Sequence, residues 1–106
     1  MGFGNISKMM KQAKKLQEEM ARLEEELKTM AVEASSGGGV VEVKVSGKQD
    51  LLSIKIKPEA VDPDDVEMLE DLILAAVNEG IKKSREMAAQ EMARITGGLN
   101  LNIPGF

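Results

Sequence analysis

Five cations fall within the first 22 residues, Lys8, Lys11, Lys14, Lys15 and Arg22, against only Glu18 and Glu19. On a helix they share one side, because Lys8, Lys15 and Arg22 recur at the heptad interval and Lys11 and Lys14 fall beside them. Cations held in register along a rod suit phosphate groups. Lys and Arg gain affinity for a nucleic-acid backbone by releasing condensed counterions, without reading bases. Lys82, Lys83, Arg85 and Arg94 make a second basic stretch, which would join the first if the two segments pair. The plainer reading is a solvated face that keeps a helix soluble, although Glu18 is the one acid on this stripe.

Other chemistries find little support. The chain has no His and no Cys, so the commonest general base and the thiol nucleophile are missing and no enzyme is expected. Gly37-Gly38-Gly39 is not followed by Lys and Ser/Thr opening a helix, so it is no phosphate loop. Asp62, Asp64, Asp65, Glu67, Glu70 and Asp71 could attract Mg²⁺, but they match no defined ligand spacing and read better as a charge-matched helix start. No metal, cofactor or small-molecule substrate is expected. Aromatic residues make up 2% of the chain, too few for a base-stacking platform on single strands. Helix-turn-helix, zinc-finger and dense basic-zipper patterns are absent. Duplex DNA bound through its backbone and shape is what remains.

The formal net charge of −4 argues against such a partner until its distribution is considered. Residues 1–22 carry +3, residues 23–72 carry −8 and residues 73–106 carry +1, an asymmetry that places an electrostatic partner at the ends. Without Cys there is no disulfide-stapled scaffold. No apolar run approaches the roughly 20 residues of a membrane span, and residues 1–7 lack the regions of a signal peptide. The expectation is a cytoplasmic protein that engages no membrane.

The cations need rigid elements to hold them. Ile6, Met9, Ala13, Leu16, Met20, Leu23, Leu27, Met30 and Ala34 recur at alternating steps of three and four, the spacing of one apolar stripe on a helix. A first helix is placed at about 7–30, capped by Asn5 or Ser7. Val41, Val43 and Val45, then Leu52, Ile54 and Ile56, alternate with polar residues as two strands of a hairpin joined at Gly47–Asp50. Residues 31–35 are ambiguous between a continued helix and a further strand, so the strand region spans about 32–57. Asp62-Pro63-Asp64-Asp65 opens a second helix over about 63–95, with Asp62 as cap and Pro63 at the first position. Its stripe is Val66, Leu69, Ile73, Val77, Ile81, Ala88, Met92 and Ile95, skipping a turn at Ser84. Gly80 reads as a weak point inside this helix, and Gly97-Gly98 as its stop. An irregular tail at 97–106 completes one α+β domain over 1–106: a long helix, a small antiparallel sheet of two or three strands, and a second long helix.

A chain of 106 residues with 8 Met and almost no aromatics cannot bury both helices in its own core, so part of the core is expected from a second copy. With Ile6 as heptad position a, a parallel homodimeric coiled coil would set Glu19 against Glu24. Packing of the first helix on the second, or another non-parallel arrangement, is favoured instead.

Three stretches carry a resemblance: GNISKMMKQAKKLQEEM (Gly4–Met20), EMLEDLILAAVNEGIKKS (Glu67–Ser84) after a strand pair ending IKIKPEAV, and GGLNLNIPGF (Gly97–Phe106). In order and size the chain resembles the YbaB/EbfC family of bacterial nucleoid-associated proteins. The resemblance implies a tweezer-like homodimer with sheets at the centre and protruding helices. It further implies binding of double-stranded DNA in the nucleoid, with bending and bridging left open, and a part in chromosome organisation or gene expression. Only the basic positions on the matching helices are carried over as DNA-binding. The competing expectation is an adaptor whose helical arms grip a partner protein through the Met-rich stripe of Met9, Met10, Met20 and Met30.

Overall fold

In the computed structural model, which describes residues 3–98, the chain runs α1 (Phe3–Thr29), β1 (Ala31–Ser36), β2 (Val41–Ser46), β3 (Leu51–Ile56), one 3-10 turn (Pro58–Ala60) and α2 (Val66–Gly98). The class is α+β, with an antiparallel sheet in the order β1-β2-β3. The ambiguous stretch after the first helix is therefore a strand. It pairs along its whole length with β2, Val32 opposite Val45 and Ala34 opposite Val43. Gly37, Gly38 and Gly39 all have positive φ in the connecting turn, which only glycine adopts without cost. The tail beyond residue 98 lies outside the described residues.

The helix ends differ from expectation. α1 starts at Phe3, so Asn5 and Ser7 lie within its first turns rather than capping it. α2 starts later than position 63. The Asp65 N–H donates to the Asp62 carbonyl (3.0 Å), and the Asp64 N–H to Asp62 Oδ1 (3.0 Å). Residues 62–65 thus form a turn whose second position suits the fixed φ of Pro63. The cap is Asp65, whose Oδ1 accepts from the Met68 N–H at 3.2 Å. These carboxylates are helix-start acceptors. At the other end α2 includes both Gly97 and Gly98 and is described as far as Gly98.

Every second residue of β2 is buried, Val41, Val43 and Val45, and with Ala34 and Ala76 they form the core; Val32, Leu69, Leu72, Ile73 and Val77 pack around it. Hydropathy alone places the contact line of α2 on its large apolar residues. The structure rotates it onto small ones. Ala76, Gly80 and Ser84 are the buried residues along this side of α2, one helical turn apart, whereas Val66 and Met92 are exposed. A Cβ on Gly80 would stand 2.7 Å from Val45 Cγ2 and 3.0 Å from Val43 Cγ2. Gly80 is therefore a point of close approach to the sheet and not a weakness. Nor is Ser84 a gap in the stripe. It is fully buried, and its hydroxyl donates to the Ser46 carbonyl at 2.6 Å. At the opposite end of the sheet the Ser36 hydroxyl donates to the Leu72 carbonyl at 2.6 Å.

α2 covers β1 and β2 only. A helix about 10 Å across spans about two strands set about 4.8 Å apart. All of β3 is exposed. Its Ile54 and Ile56 sit opposite Val43 and Val41 in register, so they share the core face but keep 41% and 38% of their surface.

Gly80→Leu is expected to destabilise the chain by about 1–3 kcal/mol through overpacking, despite the higher helix propensity of Leu. Urea unfolding followed by circular dichroism would read this as a lower midpoint at unchanged slope.

Candidate nucleic-acid interface

The rod that bears the first five cations is clamped at its base and bare at its tip. Leu23 and Leu27 are buried. The Gly47 N–H in the β2–β3 turn donates to the Met30 carbonyl at 3.0 Å, just after α1 ends. A Cβ on Gly47 would come within 2.6 Å of the Leu27 carbonyl oxygen, so α1 leans on this turn as closely as a backbone can. Lys48 in the same turn reaches Glu24 at 3.3 Å. Farther out burial fades: Leu16 and Met20 are half-buried, and Ala13, Met10, Met9 and Ile6 are exposed. The molecule is correspondingly long, 76 × 26 × 16 Å.

The helices run antiparallel. Ser84 touches Ser46, beside the Gly47–Leu27 contact, and ten residues later Arg94 and Ile95 line a cleft with Lys15, Glu19, Arg22, Leu23 and Glu26. Thus α1 packs on α2 through its C-terminal half alone.

Lys8, Lys11, Lys14, Lys15 and Arg22 are all exposed. At about 100° per residue they cover about 120° of the helix, on the side away from Leu23 and Leu27. Among the described residues none of the five has a carboxylate within salt-bridge distance. Lys28 contrasts with them. Its hydrogen bond to Glu25 at 2.9 Å, and then the charge of that carboxylate, raise its pKa above the usual lysine value. Lys28 is ion-paired within its own helix.

The second basic stretch divides. Arg94 joins Lys15 and Arg22 along the cleft while its guanidinium, at Nε, lies 3.1 Å from Glu91 on the preceding turn. Lys83 turns to the edge of the sheet and donates to the Glu33 carbonyl at 3.1 Å. Arg85 turns to the β2–β3 turn, where Nε lies 3.4 Å from the Gln49 side chain. Lys82 is exposed. One surface uniting all nine cations, the arrangement expected if the helices pair, is not formed, because successive positions on α2 point about 100° apart. The three that meet are Lys15, Arg22 and Arg94.

The acidic cluster at the start of α2 occupies the other end. The Ser36–Leu72 hydrogen bond fixes the start of α2 beside the β1–β2 turn, and the Gly47–Met30 bond fixes α1 beside the β2–β3 turn. Asp62, Asp64, Asp65, Glu67, Glu70 and Asp71 therefore lie across the sheet from the α1 cations. Gly47, Lys48 and Arg94 set this geometry more than the sequence suggested. For Gly47 the available signal was its place at a hairpin turn, with no hint that a helix would rest on it.

Two antiparallel rods seated on a three-stranded meander, one of them basic on its outer side, define a class of small α+β proteins built to present helices. The chain belongs to the YbaB/EbfC DNA-binding family, which residues 1–99 match. It is 61% identical over 106 residues to a nucleoid-associated protein of Moorella thermoacetica, covering 100% of both chains. It is 59% identical over 103 residues to a nucleoid-associated protein of Pelotomaculum thermopropionicum, covering 97% of this chain and 96% of that one. Among solved structures it is similar to an uncharacterized protein of Helicobacter pylori, with a TM-score of 0.62 at 27% identity over 74% of this chain and 90% of that one.

If Gly47 sets the lean of α1, Gly47→Ala should loosen that helix before the sheet. Amide exchange over Leu23–Thr29 should quicken several-fold while β2 stays protected.

Proposed function

We propose that this protein is a nucleoid-associated, double-stranded-DNA-binding homodimer that holds the duplex through its phosphates. The observation that carries the reading is the row of five exposed α1 cations, none of which has a carboxylate within salt-bridge distance among the described residues, at the end of the molecule remote from the acidic start of α2. Family membership supports DNA as the partner. With two aromatic residues in the whole chain, stacking on bases contributes little, and recognition rests on charge and duplex shape. Lys8, Lys11, Lys14, Lys15 and Arg22 supply the phosphate contacts. Arg94 extends them at the cleft, and Lys82, Lys83 and Arg85 act at longer range. Binding of this kind organises the nucleoid and modulates transcription without a strict site. The protein needs no cofactor and catalyses no reaction. It acts in the cytoplasm, on the chromosome.

The dimer is proposed on the uncovered part of the core face. Leu51, Ile54 and Ile56 form an exposed apolar strip on an edge strand, opposite the core residues Val45, Val43 and Val41 in register. A second copy of the same strip is its natural complement, and it would set two α1 rods on one particle.

Fluorescence anisotropy with unrelated duplexes across a salt series tests the DNA reading. Affinity should fall steeply and linearly with log salt. Replacing Lys8, Lys11, Lys15 and Arg22 together by Ala should weaken every duplex alike and flatten the slope by about 3–4, since each phosphate contact contributes about 0.9. Binding that ignores salt, or that survives the fourfold variant, would refute it.

Light scattering should give twice the chain mass at micromolar concentration, and Ile54→Lys with Ile56→Lys should reduce it to one chain. A monomeric parent protein would remove the dimer.

A further inference from the structure

One large apolar residue of α1 stands off the stripe by which this helix packs. Met10 lies about 100–140° round the helix from Leu27 and Leu23. It is 68% exposed and lines a groove with Ile6, Ser7, Lys11 and Lys14, of which Ile6 is 57% exposed. We propose that this part of α1 enters the major groove of the duplex, with Ile6 and Met10 against the C5-methyl groups of thymine. The proposal rests on the duplex reading above and adds a base preference to it.

The rod has the dimensions that groove admits. Among the described residues, positions 5–15 are all exposed, a free length of about 16 Å at about 1.5 Å per residue. A helix with its side chains is about 10–12 Å across. The major groove is about 12 Å wide, against about 6 Å for the minor groove. Residues 1–17 contain no Asp and no Glu, so an entering rod brings no carboxylate against the phosphates.

The chemistry of the two grooves is complementary. Ile6, Met10 and Lys14 follow at intervals of four, about 40° apart round the helix, so an apolar pair adjoins a cation along one line. Base edges in the major groove present hydrogen-bond donors and acceptors, and the thymine methyl is their apolar group. With Ile6 and Met10 turned to the groove floor, Lys11 and Lys14 face one wall, where the phosphates of one strand run. Lys8 and Lys15 follow farther round on the same side. A membrane surface is a poorer match. Binding there grows with the apolar area a helix can bury, and Ile6, Met9 and Met10 extend over little more than one turn. A few methyl contacts added to a phosphate grip produce a preference for thymine-rich duplexes and not a strict site.

Uracil in place of thymine removes this methyl and leaves charge and pairing unchanged. Fluorescence anisotropy at one salt concentration compares an A·T-rich duplex made with thymine and the same duplex made with uracil. The thymine duplex should bind at least about threefold tighter, since burying one methyl is worth about fourfold in affinity. Replacing cytosine by 5-methylcytosine puts a methyl at the same place in a G·C duplex and should tighten binding likewise, which separates the methyl from A·T shape. Ile6→Gln with Met10→Gln changes exposed positions to a good helix former. This double variant should ignore the methyl in both duplex pairs, while its salt slope and light-scattering mass match those of the parent. Equal affinity of the parent for thymine and uracil duplexes, with steep salt dependence kept, would overturn the base contact and leave the phosphate reading standing. No binding to any duplex would remove both. A double variant that still prefers the methyl would also overturn the proposal. One that falls to single-chain mass would do so by making the strip a contact between copies. Sedimentation of the parent with phosphatidylglycerol vesicles, lost in the double variant and joined to indifference toward the methyl, would make a lipid surface the occupant instead.

Discussion

The structure depends on how closely α2 can approach the sheet. Ala76, Gly80 and Ser84 have almost no side chain to interpose, so the helix backbone settles against the valines of β2. The Ser84–Ser46 hydrogen bond satisfies the buried hydroxyl that this face brings against the sheet. Close seating fixes the lateral position of α2 over β1 and β2. It also fixes the direction in which α2 leaves the sheet, and therefore where it meets α1.

Both exposed apolar surfaces follow from that seating. A helix pressed onto two strands leaves the third without a cover, although its isoleucines belong to the same face. As far as Gly98, α2 leaves the sheet beside α1 and shelters its base, while Ile6, Met9 and Met10 stay exposed among the described residues. Neither surface is a defect of packing. Large exposed apolar surfaces on small proteins usually mark contacts with something further. The charge layout has the same origin. The two helices are pinned to opposite ends of the sheet, so the acidic start of one and the basic length of the other are kept apart.

Much of this could be read in the residues. The alternation of Val41, Val43 and Val45 with charged neighbours specifies a strand with one buried face. The recurrence of Lys8, Lys15 and Arg22 at the heptad interval, about 100° round the helix from Met9, Leu16 and Leu23, specifies a helix with a basic and an apolar side. The α2 contact line was hidden because a hydropathy pattern records which side is apolar and not how near that side comes to its neighbour. Gly80 looks costly by propensity and Ser84 looks like an interruption. Only the presence of Val43 and Val45 beneath them shows why neither can be larger. The caps were misplaced for a related reason: Asp62, Asp64 and Asp65 are chemically equivalent, and the turn at Pro63 decides which of them starts the helix.

Local spacing and charge thus determined both helices, β2, β3, their order and the basic side of α1, because periodicity and side-chain chemistry act within a few turns of one segment, while β1 became a strand only through its pairing with β2. Tertiary structure decided that Arg94 joins Lys15 and Arg22 while Lys83 and Arg85 turn to the sheet edge and a loop. It also decided that β3 stays bare and that α1 is held upright by a glycine in a turn. These are relations between distant segments, fixed by which surfaces can approach within van der Waals distance, and no stretch of sequence records that by itself.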